Sequence, residues 1–306
     1  MNKMYKLLLI VLISLLVLGC QGGHTSYDIN FSKIESAPLI ESPDNEPDPV
    51  RVAFSSVLNP ADTIKYYKEI SNYIGSKLNR PVILIQRKSY SEISMLMING
   101  GADIALLSAG AFITYRNVAG LEAIAMQERM GLPYYQGYLV VNKESNITDI
   151  HELRGKSIAF TDPISYSGYI FIDQKLDHIG EDPEQFFGRH VYTYNHENSL
   201  LALLDKVVDA AAVNNLVLKN LELSNPEVAE TLQIIEESAT LGTGPVVVNN
   251  QMPSEDKNRV KEIFLSMHED PKMLKALEGL SIDRYVPVDF KLFEAIENTI
   301  PDRRGR

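Results

Sequence analysis

The sequence predicts an α/β protein built as two similar lobes joined by two extended crossings. Three observations predict it. From Val50 onward, short apolar strands alternate with helix-spaced segments, the grammar of a parallel sheet covered on both faces. A second set of the same alternation begins near residue 147. Two extended runs, residues 134–142 and 233–249, are placed to carry the chain from one set to the other and back. The expected lobes are residues 50–135 with 240–306, and residues 136–239.

Each element has its own signal. Val50–Phe54 is strand-like, and residues 62–78 carry Ile64, Tyr67, Ile70, Ile74 and Leu78 at helical spacing. Residues 81–86 read as a buried strand, and residues 89–99 as a helix stopped by Gly100-Gly101. A short apolar strand over 102–107, a helix over 109–118 and a strand over 121–126 complete the first set. The second set reads as a short helix over 147–153, then strands over 156–160, 190–194 and 209–213. Helices over 169–178 and 197–207 separate these strands. Residues 232–236 and 245–249 are extended, and the tail is mostly helical.

Ahead of this body, Lys3 and Lys6 form a basic start to an almost unbroken apolar run, residues 7–18. That run is short for a bilayer, which takes roughly 20 residues, and reads as a secretory signal. It ends in Leu16-Val17-Leu18-Gly19-Cys20, which resembles the bacterial lipobox. The resemblance implies removal of residues 1–19 and lipidation of Cys20. Lipid would then hold the protein at the extracytoplasmic face of a membrane, with residues 20–49 as a polar, flexible tether. Cys20 is the only cysteine, so the chain can form no internal disulfide and keeps no thiol for a nucleophile or metal.

The formal charge is −11. Without the two lysines of the leader, 27 basic residues face 40 acidic ones, giving −13. An acidic body argues against general nucleic-acid binding. It leaves room for an anionic ligand, because backbone N–H groups and hydroxyls can hold an anion wherever the net charge lies. The segment best suited to that is Asp162-Pro163-Ile164-Ser165-Tyr166-Ser167-Gly168-Tyr169. A strand ends at Phe160, Pro163 turns the chain, and Ser165 stands at an N-cap before a helix. Helix starts carry unpaired N–H groups and partial positive charge. Two serine hydroxyls beside them make a candidate anion cradle, and Gly168 allows close backbone approach. A plain serine N-cap is the equally simple local reading.

This segment closely resembles a motif of the phosphate-, phosphite- and phosphonate-binding periplasmic proteins. That motif is a strand, Asp-Pro, a Ser/Thr-rich triplet and Gly at a helix start. Tyr166 stands where relatives often have Thr. Further segments agree in order: residues 59–78, Gly100-Gly101-Ala102-Asp103-Ile104-Ala105, Asn195-His196-Glu197 with the helix after it, and Val208-Asp209-Ala210-Ala211-Ala212-Val213. The resemblance spans roughly residues 50–290. It implies a periplasmic-binding-protein-like fold with two extended hinge crossings, and a monomer that captures a small phosphorus oxyanion for an ABC permease. It implies no cofactor, metal, nucleic acid or catalytic residue. The implied ligand-binding residues are Ser165, Tyr166, Ser167, Gly168 and His196. On local grounds His196 would be a solvent-facing helix-start residue. Ser55 and Ser56, ending the first strand, and Ser108, ending the third, join the candidates because ligands of open α/β sheets sit beyond strand carboxyl ends.

The chain departs from the pattern twice. Phosphonate-specific relatives tend to place acidic residues in the second lobe for the ligand's amine, and here that region reads Asn214-Asn215-Leu216. Leu107-Ser108-Ala109 replaces an aromatic and a glycine. Both departures favour a plain oxyanion over an amine-bearing phosphonate. The competing readings are a sensory lipoprotein that feeds a membrane kinase or receptor, capture of a different organic solute, and a hydrolase using Ser165 or Ser167. No base and orienting partner supports the last.

Overall fold

The computed structural model describes residues 47–54 and 60–297. Cys20, the leader, the tether up to residue 46, Ser55 and Ser56 lie outside the described residues. The chain opens with β1 (Val50–Phe54), α1 (Pro60–Leu78), β2 (Val82–Gln86), α2 (Tyr90–Ile98), β3 (Ile104–Leu106), α3 (Ala109–Ala119) and β4 (Leu121–Glu128). It then runs through β5 (Tyr134–Tyr135) to β6 (Gly137–Asn142), β7 (Ser157–Phe160), α4 (Phe171–Asp177), β8 (Arg189–Tyr192), α5 (His196–Leu204), β9 (Ala210–Asn214), α6 (Asn215–Ser224) and β10 (Leu232–Glu237). The return passes β11 (Leu241–Gly242) to β12 (Pro245–Asn249), α7 (Ser254–Ser266), α8 (Pro271–Gly279), β13 (Arg284–Val286) and α9 (Lys291–Glu297).

The strands form a six-stranded sheet, ordered β13-β4-β12-β3-β1-β2, and a five-stranded sheet, ordered β10-β6-β9-β7-β8. Both are mixed, where continuous apolar strands alone suggest parallel sheets. β1 pairs β2 and β3 in parallel, and β7 pairs β8 and β9 in parallel. β12 runs antiparallel to β3 and β4, and β6 antiparallel to β9 and β10. β6 and β12 are the strands on which the chain arrives from the other sheet, so each enters from the opposite end.

The two crossings, β4 to β6 and β10 to β12, pair with one another. β5 and β11 form a two-stranded antiparallel ribbon with Tyr135 opposite Leu241 and Tyr134 opposite Gly242. Gly242 is required there, because a Cβ would lie 2.7 Å from the Phe293 ring of α9.

The apolar stripe of α1 is buried as its spacing predicts, through Tyr67, Ile70, Ile74 and Leu78. Each such side chain contributes about 1.5–3 kcal/mol of transfer free energy. The halves also share a device visible in their sequences. Asp103, before β3, accepts the Arg51 N–H at 2.8 Å and pairs with its guanidinium. Asp209, before β9, accepts the Ser157 N–H at 2.8 Å. In each half an aspartate thus fixes the first strand beside the third.

Two local readings shift, and one helix appears that was not read from the sequence. The helix expected over 169–178 begins at Tyr166 with a π turn (Tyr166–Ile170), closed by the Ile170 N–H on the Ser165 carbonyl at 2.9 Å. α6 follows β9 directly, because Asn214 caps it through Leu216 N–H at 2.9 Å. The tail contains a strand, β13, which pairs β4.

Candidate functional site

A cavity of about 50 Å³ lies where the two halves meet. Its lining includes Ser108 just past β3, Ser165 and Ser167 past β7, His196 at the start of α5 and Asn214 at the end of β9. These positions lie beyond the carboxyl ends of strands, where open α/β sheets place ligands. Several helix starts therefore meet at one space, each bringing unpaired N–H groups and partial positive charge.

Each start is built by its own cap. The Ser165 Oγ accepts the Gly168 N–H at 3.1 Å, so it is an N-cap, and its hydroxyl proton remains available to a ligand. The capping and binding readings are thus compatible. Tyr166 and Ser167 occupy the next two positions, whose N–H groups have no acceptor within the helix. Tyr166 is buried and packs near Phe171. Gly168 lets the π turn lie against β7, since a Cβ there would fall 2.4 Å from Thr161 Cβ. Ser108 likewise caps α3, accepting the Ala111 N–H at 3.2 Å.

His196 follows the N-cap Asn195 and is 2 % exposed, so the solvent-facing reading does not hold. Its Nδ1 accepts the Asn214 N–H at 3.1 Å and lies 3.0 Å from the Thr161 hydroxyl. Because the backbone N–H can only donate, this bond assigns the neutral ring's proton to Nε2, which is then a donor. Burial holds the pKa down to about 3, so the imidazole, rather than the imidazolium, is the form at neutral pH.

Tyr90 is the first-half counterpart of His196. It begins α2 after a Ser89–Glu92 capping box, lines the cavity and is 2 % exposed. Its phenolic oxygen is buried and has no hydrogen-bond partner among the described residues. Asp162 ties this helix start to the serine loop, accepting the N–H groups of Tyr90 and Ile164, each at 3.0 Å. Burial raises the Asp162 pKa above the usual carboxylate value. Tyr135, on the crossing ribbon, is hydrogen-bonded to the Ser167 side chain. Tyr67 also lines the cavity, and its ring stacks on Phe54 with centroids 3.8 Å apart.

No aspartate or glutamate lines the cavity among the described residues, but one cation does. Arg129 follows β4 and is 7 % exposed. Its Nε donates to Gln127 Oε1 at 2.9 Å, and Nη1 donates to the carbonyls of Leu280 and Ser281. The architecture is thus a small, donor-rich cavity between two α/β halves.

A family model described as "ABC transporter, phosphonate, periplasmic substrate-binding protein" matches residues 52–293. The chain belongs to this family. Two relatives are the phosphonates-binding periplasmic protein of Escherichia coli, 27% identical over 179 residues, and the phosphate-import protein PhnD of Mycolicibacterium smegmatis, 22% identical over 233 residues. The first match covers 54% of this chain and 53% of that protein, and the second covers 71% of each. The chain therefore spans about half the length of the E. coli relative.

Among solved structures, it resembles the binding component of a Pseudomonas aeruginosa ABC phosphonate transporter. The TM-score is 0.72 at 24% identity, covering 82% of this chain and 87% of that one. It also resembles Prochlorococcus marinus PhnD1 in complex with methylphosphonate, with TM-score 0.72 at 17% identity over 83% and 97%. These likenesses show the two-lobed fold.

Of the sequence-predicted positions, the family member's structure brings Ser108, Ser165, Ser167 and His196 to the cavity. Tyr166 and Gly168 build the turn that presents them. Sequence reasoning missed Tyr90, Asn214, Gln127, Thr243 and Arg129. Overlaying the halves could have found Tyr90, because Ser89-Tyr90 matches Asn195-His196 as cap and first helical residue. Arg129 has no local signal, since one arginine after a strand looks like any surface arginine.

Proposed function

We propose that this protein is an extracytoplasmic solute-binding lipoprotein that captures a phosphorus oxyanion for an ABC importer. The observation that carries this reading is the meeting of capped helix starts at a small cavity with no acidic lining among the described residues. The phosphoryl oxygens receive the N–H groups of Tyr166 and Ser167, the hydroxyls of Ser108, Ser165, Ser167 and Tyr90, and the Nε2–H of His196. These donors replace the ligand's water, and in a closed cavity every oxygen must find one. Ser55 and Ser56, which follow β1 directly in the sequence, are further candidate donors. The lobes are residues 50–135 with 240–306 and residues 136–239, hinged at the β5–β11 ribbon. They close on the ligand and present the closed form to the permease. The protein is a monomer tethered through lipid on Cys20, and it acts by binding, with no catalytic step.

Replacing Ser167 with Ala tests the cradle. Removing one hydrogen bond to a charged ligand costs about 1.5–3 kcal/mol, so affinity for methylphosphonate or phosphate falls roughly ten- to hundred-fold. The variant should still unfold cooperatively in a thermal melt. A Ser167→Ala variant that binds as tightly as the wild type would show the helix start is not the oxyanion site.

A further inference from the structure

The cavity's polar lining contains two distinct groups of side chains. One is the serine–histidine cradle, knit together through Thr161 and Tyr135. The other is the Arg129 guanidinium with Gln127 and Thr243, built from the end of β4 and the chain after β11. Leu106, Leu107, Leu216 and Val217 contribute apolar lining to the same space.

Arg129 is a buried cation in an unusual position. Its acceptors are an amide oxygen and two carbonyls, all uncharged. Among the described residues it takes part in no ion pair, and its Nη2 has no hydrogen-bond partner. The carboxylate whose field reaches it, Asp283, makes no ion pair with it and accepts the Gly131 N–H at 2.7 Å. Its other neighbours in this respect are the phenols of Tyr67 and Tyr285, neutral near pH 7 because burial raises both pKa values. A buried guanidinium without an ion-pair partner is costly, and such groups are stabilised by anions.

We propose that the ligand carries a second anionic group, a carboxylate, and that the Arg129 guanidinium receives it, so that the protein selects phosphonocarboxylates. This rests on the phosphoryl reading of the cradle. The two protons on Nη2 are the ones that no protein acceptor takes, and they can donate charge-assisted hydrogen bonds to a carboxylate. The apolar lining suits the carbon between the two acidic groups. An amine in that place would meet a like charge with no acid in the lining to balance it. A bare methyl group would leave the guanidinium uncompensated.

Calorimetric titration of the ligand-stripped protein with phosphonoacetate, methylphosphonate and 2-aminoethylphosphonate tests this. The readout is the ratio of phosphonoacetate to methylphosphonate affinity. In the wild type it is expected at about ten- to hundred-fold, the worth of a charged hydrogen-bonded pair, with 2-aminoethylphosphonate weakest. Arg129→Met, of similar length and apolar, brings the ratio close to one. Arg129→Lys, which keeps the charge but not the Nη2 donor position, gives an intermediate ratio and stands in if the Met variant does not fold. A wild-type ratio near one, or a ratio unchanged in the variants because both ligands weaken together, overturns the proposal and places the guanidinium on the phosphoryl group itself. Absence of binding by both phosphonates in the wild type is a different result, and it removes the cradle reading beneath.

Discussion

His196 has one ring nitrogen committed to the Asn214 N–H and the other available to a ligand, and this decides its charge. The folded protein holds it neutral, with a pKa near 3 against 6.5 for an unperturbed histidine. The unfolded chain therefore takes up a proton before the folded one does. Stability from this residue is fully present above pH 6.5 and is lost progressively as pH falls from 6.5 toward 3. Between pH 6.5 and 5 the loss reaches about 2 kcal/mol. Urea unfolding of the ligand-free protein across that interval should show this slope, and His196→Gln should remove it. Equal slopes in the two proteins would mean that the imidazole is not held neutral. A bound oxyanion beside Nε2–H favours the protonated ring, so the slope should be shallower when ligand saturates the protein.

At the scale of elements, the site is a set of caps, and the caps were largely legible. Ser165 before a helix and Asp162-Pro163 before that are a strand-to-helix signature, and the structure places its cap as expected. His196 was legible through the family motif, while its burial was not, because burial depends on β9 arriving beside it. Ser108 was legible from its place at a strand end. Tyr90, Asn214 and Arg129 were not, because each matters only once two sequence-distant segments meet.

The packing of α3 against the serine loop shows such a meeting. A Cβ on Gly110 would lie 2.3 Å from the Ile164 carbonyl oxygen and 2.8 Å from the Tyr166 nitrogen. These atoms belong to the loop after β7, in the other half. Gly110→Ala therefore strains the closed arrangement by about 1–3 kcal/mol, the usual cost of overpacking. The halves can relieve it by parting. Ligand affinity should fall by a corresponding factor, with a smaller change in the ligand-free melting temperature. Titration and melting of the same variant check this, and wild-type affinity would contradict the close approach.

The whole molecule joins two similar halves through one ribbon. The alternation of strands and helices identified both halves and both crossings in the sequence. It did not reveal that the crossings pair or that each sheet contains a reversed strand, since pairing direction leaves no mark on an apolar run. The net charge of −11 coexists with a cavity whose lining, among the described residues, holds no acid, so the field that a ligand meets is set by helix starts and Arg129. The most direct measurement is calorimetric titration of the protein from residue 21 onward, stripped of carried-over ligand and verified as folded. Phosphate, phosphite, methylphosphonate and phosphonoacetate are the titrants. The account predicts saturable one-to-one binding of at least one of them. No heat with any of the four would contradict it, and the cavity would then belong to a different solute.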